Sequence, residues 1–143
     1  MIDTRKIFHV ISYLQYPMML VAMYFILQPY FNEFQGIYKS LNSGLIFLGL
    51  GVSFSTLQDT TTTQNEVSRK IWEHPTKGKI FLILISIVTF TLIITGIIGV
   101  FAAEDALLSE LSLGLVVLGI GLVGLLKSAS EMFENHRLDK NEK

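Results

Sequence analysis

The sequence contains no cysteine. That alone excludes disulfides, thiolate catalysis and cysteine-held zinc or iron–sulfur sites. Charge is also scarce: Asp, Glu, Lys and Arg make up 16% of the 143 residues, against roughly 25% in ordinary soluble domains. The net charge of −1 leaves no basic footprint for nucleic acid, so none is expected as a partner. There are three histidines, His9, His74 and His136, and only His9 falls in an apolar run. Bis-histidine haem ligation within one chain would need a second membrane histidine, and no two likely metal ligands stand at a convincing spacing. The GxSxG, HExxH and Walker A patterns are missing. The GLG and GIG triplets lie inside apolar runs and lack the Lys-Ser/Thr of a phosphate loop. No cofactor, no metal and no enzymatic activity are expected.

What the chain does have is length in apolar residues. Half of it is hydrophobic and the mean hydropathy is +0.51. The charges cluster at the ends and in one middle loop, as in a bilayer protein with polar connections. Four segments are expected to span: 8–31, 41–57, 80–103 and 111–126. Phe8–Phe31 and Ile80–Ala103 are each 24 residues without a formal charge, enough to cross with some tilt. The other two are shorter and need their flanks. The first run is too long for a signal peptide and no small-x-small site closes it, so it reads as a retained helix.

Orientation follows from the basic residues. Arg5 and Lys6 precede the first span. Arg69, Lys70, Lys77 and Lys79 lie between the second and third, and Lys127, Arg137, Lys140 and Lys143 follow the fourth. The opposite side has only Lys39, and its second loop carries Glu104, Asp105 and Glu110. This bias predicts cytoplasmic termini in a plasma membrane, or an inner membrane if the source is bacterial. Between the middle spans, Thr63 with Glu66 fits a capping box, Val67 and Ile71 share a face, and Pro75 stops the segment. Residues 64–74 read as an amphipathic helix on the membrane surface with Trp72 as interfacial anchor; docking of a soluble partner is the alternative. The tail, 128–143, reads as a helical extension that frays into a charged end.

Glycines recur. At an offset of 70, Gly44, Gly49 and Gly51 align with Gly114, Gly119 and Gly121, which raises two parallel helical-hairpin repeats as a possibility. In lipid, small residues let helix backbones approach. Gly49 with Ser53, Gly51 with Ser55, the ladder Thr91, Thr95 and Gly99, and the group ending at Gly124 are therefore expected packing positions. They place the second, third and fourth spans in close contact.

Helix one is different. Pro17 removes a backbone hydrogen bond and predicts a kink. His9, Tyr13 and Tyr16 share one face, and Gln15 lies beside the kink as a possible cavity residue. Asp59, at the end of the second span, and the acidic group Glu104, Asp105 and Glu110 are possible pore residues. Four short spans superficially resemble small multidrug exporters and tetraspan junction proteins. The chain lacks the membrane carboxylate of the first and the extracellular cysteines of the second. The expectation is a single all-α domain over residues 1–143, a four-helix transmembrane bundle. It would act as a structural or interaction subunit with the lipid bilayer, further copies or other membrane subunits as partners; a homo-oligomeric channel or small-solute transporter is the alternative.

Overall fold

The structure, a computed structural model, describes residues 4–59, 61, 66–101, 104 and 106–141. The described residues are all-α: α1 (Thr4–Ser12), α2 (Gln15–Phe31), α3 (Ile37–Ser55), α4 (Glu66–Trp72), α5 (Pro75–Phe101) and α6 (Ala106–His136), followed by a 3-10 turn over Leu138–Asn141. Four helical stretches are long and apolar enough to cross a membrane: Lys6–Phe31, Ile37–Ser55, Pro75–Phe101 and Ala106–His136. In this up-and-down arrangement the start of α1, the end of α6 and α4 share one end of the bundle, termed the basic end. The α2–α3 turn and Glu104 mark the acidic end.

The first span breaks where its chemistry requires. Pro17 has no N–H to return to Tyr13, so α1 stops at Ser12 and α2 restarts at Gln15. The tighter bonds Tyr13 N to Val10 O, Leu14 N to Ile11 O and Tyr16 N to Tyr13 O bridge the break. At the acidic end, Pro29 is buried in the last turn of α2, and its carbonyl takes the N–H groups of Asn32 and Phe34. The turn then passes through positive φ at Glu33, Phe34 and Gly36, the last without steric cost because glycine has no Cβ.

The helices meet in the order α2–α3–α6–α5, with α3 and α6 as the parallel central pair. The outer helices α2 and α5 share no substantial contact, nor do α3 and α5. The second and third spans therefore do not meet closely, contrary to the small-residue pattern; the second packs against the first and the fourth, and the third against the fourth. The central seam repeats every seven residues on both helices. Asn42 Oδ1 accepts the N–H of Gly114 at 2.7 Å. A Cβ on Gly121 would collide with the Gly49 carbonyl, and one on Gly49 would stand 2.8 Å from Leu118 Cα. The Ser128 hydroxyl donates to the Thr56 carbonyl at 3.0 Å, satisfying an acceptor that the end of α3 leaves unpaired. Seven residues are two turns, so 42, 49 and 56 face 114, 121 and 128 along one stripe.

The contact register between α3 and α6 is therefore 72, and the glycines matched at 70 are not in equivalent places. Gly44 faces Ile26 of α2, whereas Gly114 faces Asn42; Gly51 faces Met19, whereas Gly121 faces Gly49; Gly49 faces α6, whereas Gly119 faces Ile93 of α5. A hairpin repeat is not shown.

The helix of the fourth span, α6, has 31 residues, about 46 Å at 1.5 Å per residue, well beyond a hydrocarbon core of about 30 Å. Its excess forms a cap at the basic end. Trp72, Ala129 and Phe133 make a buried cluster with Ile71, Leu82, Ile85 and Met132 against it. The ring of Phe133 lies over Gly78, where any Cβ would strike it. Trp72 is 6% exposed, its Nε1–H donates to Ser68 Oγ at 2.9 Å, and its ring meets Phe81 edge-on. It is a core residue rather than the expected interfacial anchor. Among the described residues the tail is held beyond Arg137: Leu138 N donates to Glu73 O, and Arg137 pairs with Glu134 and Asp139 while lying over the Phe133 ring. The capping-box residue Thr63 lies outside the described residues.

Candidate functional site

Because α2 and α5 do not meet, a space is left between them at the basic end. It measures about 420 Å³ and is lined from five elements, within the range of small-molecule sites. Gln15 and Met19 come from α2, Phe81 and Ile85 from α5, and Leu125 and Met132 from α6. Ser55, Gln58 and Asp59 come from α3 and the chain just after it, and Ser68 and Trp72 from α4. Met19, Ile85 and Leu125 lie one turn deeper into the bundle than Gln15, Phe81 and Ala129 on the same helices. The cavity is thus apolar inside and polar at its mouth.

Gln15 is its most unusual wall. It is 8% exposed, and no hydrogen bond to its side chain is formed within the described residues. Its amide brings two donors and one acceptor to the cavity wall. Other polar groups of the lining are engaged. Ser55 Oγ donates to Val52 O, Thr56 Oγ1 to Ser53 O, and Asp59 Oδ1 accepts from the N–H and hydroxyl of Thr61. No lysine or arginine is among the described lining residues. Tyr16, on the cavity wall, stacks on Tyr13, whose hydroxyl lies 3.3 Å from His9 Nε2. The aromatic face read from the sequence therefore leads along the exposed side of α1 to the cavity.

The remaining expected residues lie elsewhere. Glu104 and Glu110 are exposed at the acidic end, across the bundle from Asp59, so these carboxylates form no single group; Asp105 lies outside the described residues. Gly99 packs on Ser112 and Leu108. Thr91 is exposed and Thr95 half-buried. The face of α5 turned to α6 runs instead through Gly78, Thr89, Gly96 and Gly99, all buried. Ser53 reaches its own Gly49 carbonyl and crowds Gly121, and Gly124 rests on Thr56. Gly119, Gly121 and Gly124 carry the G-x-G-x-x-G spacing, but they are mid-helix and packed on α5 and α3, with no strand before them and no loop to cradle phosphate. Among the described residues, no three His, Asp or Glu side chains converge as metal ligands. Asn42, the residue that clasps the central seam, was not evident from the small-residue pattern. Its signal is a single amide side chain inside an apolar run.

The chain matches no protein-family model, no curated protein and no solved structure.

Proposed function

We propose that this chain is a non-enzymatic integral membrane subunit that works by helix packing. The observation that carries the reading is how its polar and small side chains are used. Asn42, Gly49, Thr56, Gly114, Gly121 and Ser128 are committed to the α3–α6 seam. The outer helices turn large apolar side chains outward, among them Leu20, Met23 and Tyr24 of α2 and Ile83, Ile87 and Ile94 of α5. Such a molecule has a fixed centre and two flanks suited to lipid or to neighbouring membrane helices. The basic end faces the cytoplasm of a plasma membrane, or of a bacterial inner membrane, and both termini lie there.

A conduction path would have to run between copies, because backbone contact closes the central seam of each chain. Extraction in the mildest detergent that clears the membrane, followed by native mass spectrometry, tests the reading. The expected result is this chain bound to other membrane chains or to a second copy. A bare monomer under every condition would overturn it. A closed symmetric ring that conducts cations after reconstitution would replace it with the channel, in which Glu104 and Glu110 would line the mouth.

A further inference from the structure

We propose that the cavity between α2 and α5 binds an uncharged amphiphile, a molecule with a neutral hydroxyl or amide head and an apolar body. The inference is independent of the subunit reading and rests on three observations about the same space.

First, Gln15 is more than nine-tenths buried, lines the cavity and has no hydrogen-bond partner for its amide among the described residues. Its two N–H donors and one carbonyl acceptor suit a group that both accepts and donates, as a hydroxyl or amide does. Second, the polarity is graded. One turn deeper than Gln15 the walls are Met19, Ile85 and Leu125, which offer an alkyl or ring body only dispersion and burial. Met adds an adaptable surface that tolerates more than one shape. Third, the charge is wrong for an anion. Asp59 is the sole charged residue among the described lining, and no lysine or arginine accompanies it. A phosphate or carboxylate head would enter without a counter-charge, next to a carboxylate. A cation meets Asp59 only at the exposed mouth, where the carboxylate already holds Thr61, whereas the buried amide answers a neutral head. Since Tyr16 and Phe81 are both exposed, molecules can reach the space from the side between α2 and α5.

The protein supplies its own reporter. Trp72 is the single tryptophan of the chain, and it lines this cavity. The full-length protein, in nanodiscs, is titrated with brominated alkyl chains of one length carrying a glycerol, a sulfate or a trimethylammonium head. Bromine quenches tryptophan only at close range. Saturable quenching is expected from the glycerol probe, at least tenfold tighter than from either charged probe. The Gln15→Leu variant should weaken glycerol-probe binding about tenfold while Trp72 emission without probe stays unchanged. Ser55→Phe, which fills the mouth and leaves Gln15 unsubstituted, should abolish saturation and serves where Gln15→Leu does not fold. Quenching that rises only in proportion to probe in the bilayer, equally for all three heads, would overturn the proposal. So would tighter binding of the sulfate or trimethylammonium probe, or wild-type affinity in both variants. Native mass spectrometry of nanodiscs formed directly from cell membranes separates two sources. A co-purifying neutral lipid identifies a bilayer component, and a site that fills only on addition of probe identifies a delivered molecule. Either finding accompanies the expected quenching.

Discussion

The side-chain oxygen of Asn42 accepts the backbone N–H of Gly114 at 2.7 Å, joining two parallel helices seventy-two residues apart in the chain. It is the first rung of the central seam, above the Gly49–Gly121 contact and the bond from Ser128 to Thr56. Asn42→Leu keeps the size and suits lipid better, yet it removes the acceptor and presses a branched side chain on Gly114. Interhelical hydrogen bonds in membranes average about 0.6 kcal/mol and reach about 1.7. A loss toward the upper value is expected in denaturant titrations of the protein in mild detergent. An unchanged midpoint would remove Asn42 from the account.

The glycines of the two registers separate cleanly. Gly121→Ala sets a methyl group against the backbone carbonyl of Gly49, which cannot move without shifting α3. Overpacking of this kind costs about 1–3 kcal/mol. Gly51→Ala meets first the Met19 side chain, at 3.0 Å, and that chain can turn aside. A near-neutral result is expected there, since Ala is also the better helix former. Thermal melting of the two variants side by side checks this; equal losses would restore the equivalence implied by the offset of 70.

Much of the architecture was legible because the bilayer demands long uncharged runs, and Phe8–Phe31 and Ile80–Ala103 supply them plainly. The break before Pro17 was legible for the same kind of reason, a missing N–H. Register was not. Leu and Gly are so common in these spans that matches at 70 do not fix a contact, while the contact at 72 depends on Asn42 and Ser128 facing Gly114 and Thr56. The face of α5 is hidden from the sequence pattern because four-residue steps through Thr91 and Thr95 drift around the helix, whereas Thr89 and Gly96 are two turns apart on one side. The pattern suggests an anchor at Trp72 because amphipathicity shows that a helix has an apolar face but not what covers it. Here the covering is the overlong end of α6. Gln15 was legible as a polar residue beside the kink, but its cavity exists only because α2 and α5 do not meet.

The cap makes its own prediction. Phe133 is 4% exposed and holds Ala129, Trp72 and the Gly78 backbone together. Phe133→Ala should cost about 3 kcal/mol, the lower end for losing a buried aromatic. Trp72 emission should shift to longer wavelength as water reaches the indole. An unshifted spectrum would mean that the cap is held by other contacts.

Topology is checked with a reporter active only in the cytoplasm. Activity is expected when it follows the last residue or is inserted between Asp59 and Glu66, and no activity when it is inserted beside Glu104. Activity at Glu104 alone would invert the bundle in the membrane.

The most direct test of the central seam uses the absence of native cysteine. A Cβ on Gly124 would stand 3.7 Å from Thr56 Cβ, close to the mean of about 3.8 Å found in disulfides. The doubly substituted chain, Thr56→Cys with Gly124→Cys, is oxidised in native membranes and compared on a denaturing gel with Leu50→Cys plus Ile94→Cys, two exposed positions on helices that do not pack. The account predicts rapid closure within one chain for the first pair and none for the second. Failure of the first pair to close, or its closure only between two copies, would contradict the seam on which the fold and the proposed function both stand.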